Sequence, residues 1–173
     1  MAYANTSKAK KLDQTAISVV KANTNGWYVA DIIYGRWDVK KTARKIFDAV
    51  AKYRPVSIGI EKGALKNAVL PYITDLMKAH QRYFRIEELT HGNQKKIDRI
   101  VWALQGRFEN AQITLSEGEW NTEFCDQLFQ FPNPLVHDDL IDSLAYIDQL
   151  AKISYYVDYE EDEIEILDPI TGY

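Results

Sequence analysis

The chain has 173 residues, is 46% hydrophobic and carries a formal net charge of −4, enough for one compact domain with a proper core. No apolar run approaches the roughly 18–20 residues of a membrane span, and the polar, basic start from Met1 to Leu12 lacks the apolar stretch of a signal peptide. The single cysteine, Cys125, can neither close an internal disulfide nor build a zinc site with a second cysteine, so a reducing, cytosolic setting is expected.

Lys8, Lys10 and Lys11 read as a mobile basic arm ahead of the first strand. Thr15–Val20 reads as that strand, and Asn23-Thr24-Asn25-Gly26 is turn chemistry that joins it to a second strand over Trp27–Tyr34. Gly35-Arg36-Trp37-Asp38 is either a short third strand or a loop. Val39, Ala43, Ile46, Val50 and Tyr53 recur at helical spacing and predict a helix that Pro55 ends. Val56–Ile60 is continuous and β-branched, as a buried central strand is. Ala64–Ala79 predicts a helix in which Pro71 is either a kink or the true first turn. Tyr83–Ile86 predicts a strand. Ile97, Val101, Leu104 and Phe108 predict the core stripe of an amphipathic helix, Ala111–Leu115 a strand, and Glu119–Phe131 a helix. Leu140, Leu144, Ile147 and Ala151 mark the last helix. A hairpin followed by alternating strands and helices predicts an α/β fold with a mixed sheet and an antiparallel edge.

Residues 154–173 hold seven of the 25 acids and no lysine or arginine, which leaves the body with 18 acids against 21 basic residues, or +3. The expected organisation is one domain over residues 1–153 and an acidic, flexible tail over 154–173. A mildly basic body is compatible with DNA without demanding it.

Two acidic features carry chemistry. Glu61 follows Val56–Ile60 directly, at the carboxyl end of the predicted central strand, where open α/β sheets gather ligands. Gly59 and Gly63 flank it. His137-Asp138-Asp139-Leu140-Ile141-Asp142 opens the last helix with three carboxylates. Capping accounts for one of them. Asp138 with Asp142, and Asp139 with Asp142, lie at i,i+4 and i,i+3 and repel unless a cation offsets them. Glu61 with Asp138 and Asp139 is the donor set of a hard cation such as Mg²⁺ or Mn²⁺, and two such ions would suit phosphodiester cleavage. Lys62, Lys95, Lys96 and Arg99 are the basic residues placed to hold a phosphate backbone. His80 and His91 have no partners at metal-ligand spacing. Trp27, Trp37, Trp102 and Trp120 are scattered, as packing residues are. No phosphate-binding loop for ATP occurs, and no serine or cysteine nucleophile motif.

Several blocks resemble, in order, the C-terminal nuclease domain of phage terminase large subunits: Thr15–Val20, Ile58–Glu61, Lys96–Ile100, Gln127–Pro132 and, most specifically, His137–Tyr146. The likeness spans about residues 2–150. It implies a ribonuclease-H-like fold that cuts concatemeric viral DNA during genome packaging with two Mg²⁺ or Mn²⁺ ions on an acidic cluster. Glu61 and Asp138 match the family's catalytic acids, Asp139 and Asp142 its accompanying acids, and Asp13 an acid in an accessory position. The implied partners are double-stranded DNA, an upstream ATPase domain, the small terminase subunit and the portal, in the host cytoplasm and away from any membrane.

One departure stands out. Ala2-Tyr3-Ala4 matches the family's Asp-any-Ala pattern with alanine in place of the first catalytic aspartate. Either the chain begins within that strand or the acid has been replaced; weak or absent cleavage is expected. A Holliday-junction resolvase of the same fold and a non-catalytic module that grips DNA or docks on the portal are the competing readings.

Overall fold

The computed structural model describes residues 14–90 and 94–152. Asp13, Ala2, the basic run Lys8–Lys11, His91 and the acidic tail lie outside them. In chain order the elements are β1 (Thr15–Asn23), β2 (Gly26–Gly35), α1 (Val39–Tyr53), β3 (Gly59–Glu61), α2 (Ala64–Ala79), β4 (Glu87–Leu89), α3 (Lys96–Glu109), β5 (Ile113–Leu115), α4 (Asn121–Gln130) and α5 (Asp139–Ala145). No described helix is long and apolar enough to cross a membrane.

The predicted hairpin is present. Asn23 Oδ1 accepts from the backbone N–H groups of Asn25 and Gly26 and closes the turn. Gly26 sits at φ 152°, and a Cβ there would overlap the Gln112 carbonyl, so only glycine lets the hairpin reach the loop before β5. β1 and β2 pair antiparallel with a register shift between Val19 and Val20, and β2 pairs parallel with β5. The Gly35–Asp38 ambiguity resolves as the end of β2 and a cap: Asp38 accepts from Lys41 N at 2.7 Å. Arg54, left-handed at φ 47°, closes α1 through its N–H to Val50 O.

The central strand is shorter than predicted. β3 covers only Gly59–Glu61, Val56 is fully exposed, and β3 pairs parallel with β4 at Glu87–Leu89 rather than at Tyr83–Ile86. Gly59 makes the close approach possible, since a Cβ would run into the Leu89 side chain. Pro71 lies inside α2, which continues through it. The sheet is thus mixed but in two pieces, β1-β2-β5 and β3-β4. The facing sides of β1 and β3 border one cavity of about 1040 Å³, and residues of α1 and α5 line it as well.

The larger core joins β2, α3, α4 and α5 around Val29, Ile100, Leu104, Phe124, Leu140, Ile141 and Leu144; a smaller one joins α1 and α2 around Ala43, Val69 and Ile73. The predicted stripe on α3 is rotated. Ile97 and Val101 face outward, whereas Arg99, Ile100, Ala103 and Leu104 are buried. Trp27 and Trp120 pack inside as expected; Trp102 is 81% exposed.

Candidate metal-binding acid cluster

α5 begins with acids and is positioned from behind by another helix. Asp138 occupies its N-cap position but makes no side-chain capping bond. The cap comes from α4: buried Gln127 accepts from the Leu140 N–H at 2.9 Å through Oε1 and donates through Nε2 to Glu123 at 3.0 Å. One of the orphan N–H groups of the first turn is satisfied this way, and Asp138 is left for other partners. Replacing Gln127 with leucine keeps the volume but strands a buried N–H, at a cost of about 1–3 kcal/mol. Urea unfolding should register that loss, and amide exchange at Leu140 should accelerate. Unchanged exchange there would mean the cap is not needed.

On the outward side, α3 supplies the countercharges. Lys96 Nζ lies 2.6 Å from Asp138 Oδ1 and 3.3 Å from Asp142 Oδ2. Arg99 Nη2 donates to Asp142 Oδ1 at 2.6 Å, and its guanidinium stacks 4.3 Å from the Tyr146 ring centroid. Tyr146 in turn hydrogen-bonds Glu61 at the end of β3. An unbroken chain of contacts therefore joins Glu61, Tyr146, Arg99, Asp142, Lys96 and Asp138. Asp139 accepts from the Gln14 backbone N–H at 3.0 Å, with His137 Nδ1 at 3.6 Å. Ser18 and Ser143 hydroxyls meet at 2.5 Å and tie β1 to α5.

Glu61, Asp139, Asp142, Lys96, Arg99 and Tyr146 all line the cavity, and Tyr146 and Arg99 connect the strand-end glutamate to Asp142. Asp13, the accessory candidate, lies outside the described residues. The basic candidates divide. Lys62 pairs with Glu88 at 3.2 Å, and Lys95 is exposed at the head of α3. Lys96 and Arg99 are turned into the acids. Sequence reasoning missed Gln127, Tyr146 and Ser143 as supports of the site, although all three fall inside the blocks that carry the resemblance.

The field of the cluster acts on its own members. Burial opposes the charge on Lys96, but the Asp138 hydrogen bond and the nearby Asp142, Asp138 and Asp139 outweigh it and raise its pKa. Burial above all raises that of Tyr146; Arg99 pulls it down, while Glu61 and Asp142 push it further up. Both groups hold their protons more tightly folded than unfolded. Each therefore contributes stability that is whole below its ordinary pKa, 10.0 for the tyrosine and 10.5 for the lysine, and is lost as pH rises through the folded value. Urea midpoints should fall from about pH 10 upward, and less steeply in Tyr146→Phe. A midpoint level into strong alkali would contradict this linkage.

The donor chemistry of four carboxylates suits a hard divalent cation. Their arrangement is a different matter: among the described residues no three acidic, histidine or cysteine groups are set to hold a metal ion, and Asp138 and Asp142 engage protein cations instead.

A mixed sheet flanked by helices, with acids from a strand end and from the last helix lining one cavity, is an arrangement of the ribonuclease-H-like class. The chain belongs to the terminase RNaseH-like domain family, whose model matches residues 3–148. No curated protein matches it. Membership of that family implies a terminase role of nuclease type, with DNA as the substrate in general terms.

Proposed function

We propose that this domain is a divalent-metal-dependent endonuclease that cuts concatemeric viral duplex DNA during packaging, with Glu61, Asp138 and Asp139 as its principal ligands and Asp142 and Asp13 beside them. The observation that carries the reading is the linkage of Glu61 to the acids of α5 through Tyr146 and Arg99 beside one cavity. Mg²⁺ or Mn²⁺ held there would supply Lewis-acid stabilisation of the phosphate and an activated water. The chain's own residues do the positioning. Tyr146 orients the Glu61 carboxylate, Gln127 anchors the start of α5, and Arg99 fixes Asp142. Lys62 and Lys95 are exposed and would meet backbone phosphates in this reading. An upstream ATPase domain, the small terminase subunit and the portal complete the assembly in this reading, within the host cytoplasm.

A second reading has one observation in its favour. Lys96 and Arg99 already neutralise part of the cluster, which suits a packaging module without cleavage activity. Two measurements separate the readings. Calorimetric titration with Mn²⁺ should show saturable binding that Glu61→Ala and Asp138→Ala abolish. Nicking of supercoiled plasmid in Mn²⁺ should be weak for this chain and at least roughly tenfold faster in Ala2→Asp, in line with an added metal ligand. Absence of Mn²⁺ binding would favour the non-catalytic module, and robust nicking that Ala2→Asp leaves unchanged would mean the acids have been misassigned. Four-way junctions cut in preference to linear duplex would point to a resolvase instead.

A further inference from the structure

The role of Lys96 differs from that of a simple phosphate contact. Its ammonium lies between Asp138 and Asp142, within hydrogen-bond distance of the first and ion-pair distance of the second. It thus uses carboxylate lone pairs that a metal ion would need. Arg99 also holds Asp142, but the two cations are not equivalent. The Arg99 side chain is 10% exposed and clamped against Tyr146, whereas that of Lys96 is 42% exposed on a flexible four-carbon stem. Lys96 is the one that can leave.

We propose that Lys96 is a built-in counter-cation of the acid cluster, which a divalent ion must push aside, so that this lysine sets the threshold for metal binding. The inference rests on the metal-site reading above. The charges agree with it: Glu61, Asp138, Asp139 and Asp142 set four negative charges against the two positive charges of Lys96 and Arg99. The sum is minus two with the lysine in place and minus three once it leaves, so the acids attract a divalent ion more strongly without it. Lys96 keeps Asp138 and Asp142 engaged with itself. In the absence of metal it relieves the repulsion between those acids, and so does structural work that the ion would take over.

Mn²⁺ binding measured by calorimetry, without DNA, tests this directly. Lys96→Met should bind Mn²⁺ roughly tenfold more tightly than the parent, because an ammonium no longer competes at close range. Lys96→Arg keeps the charge and can fork onto two carboxylate oxygens, so it should bind Mn²⁺ no more tightly than the parent. Without metal, Lys96→Met should melt lower than the parent, and Mn²⁺ should raise its melting temperature by more. The parent chain offers a check that needs no substitution: acylation of Lys96, followed by peptide mass spectrometry, should quicken as Mn²⁺ saturates the site. Equal or weaker Mn²⁺ affinity in Lys96→Met, or a Lys96 acylation rate indifferent to saturating Mn²⁺, overturns the displacement role while leaving the metal site standing. No Mn²⁺ binding by either protein overturns both.

Discussion

Arg99→Met is expected to destabilise the domain by about 3–5 kcal/mol, the usual result of removing one partner of a buried ion pair. The arginine is buried at the α3–α5 junction, donates to Asp142 at 2.6 Å and stacks on Tyr146. Its loss leaves Asp142, 13% exposed at the side chain, with only the half-exposed Lys96 ammonium at 3.3 Å as a countercharge. Methionine restores much of the volume, so the cost is electrostatic rather than a cavity. Adding Asp142→Leu to Arg99→Met should recover a large part of the stability, because no unpaired charge then remains. Urea unfolding of the four proteins of this cycle gives the answer. A single-substitution cost under about 1 kcal/mol would mean that solvent screens the pair as it does a surface bridge.

Phe124→Ala should cost a similar amount, about 3–5 kcal/mol, for a different reason. The ring is fully buried, edge-on to Trp120 at 5.7 Å and 6.5 Å from Phe108, in the core that joins α3, α4 and α5. Truncation opens a cavity that neighbours from three helices would have to collapse to fill. The effect should also reach the site, since Phe124 seats the helix whose Gln127 caps α5. Amide exchange at Leu140 should therefore rise beyond what global destabilisation predicts. A loss of stability confined to α4, with Leu140 protection intact, would show that the cap survives without its anchor.

The acids were readable in the sequence because their positions obey local rules. Glu61 follows an apolar run, and Asp138, Asp139 and Asp142 sit at i,i+3 and i,i+4 spacing on one helix. The cations were harder to assign. On α3, the spacing of Ile97, Val101, Leu104 and Phe108 competes with a second helical stripe through Arg99, Ile100, Ala103 and Leu104. Periodicity alone prefers the more apolar of the two. The fold buries the other, because α5 presents carboxylates that make a buried guanidinium acceptable. The Tyr83–Ile86 strand failed on similar grounds. β-branched and aromatic composition suggested pairing there, but the position of β3 selects Glu87–Leu89 as its partner.

Alternation of strands and helices, the turn chemistry of Asn23–Gly26, the cap at Asp38 and the order of the family's sequence blocks all depend on neighbours a few residues apart, so the amino-acid sequence by itself determined the fold class and the candidate acids. Which face of α3 points inward, where β3 ends, how Gln127 caps a helix thirteen residues away and whether Glu61 meets α5 were decided only by the tertiary structure. Those outcomes turn on pairing charge and hydrogen bonds between elements distant in sequence, and burial makes that pairing compulsory.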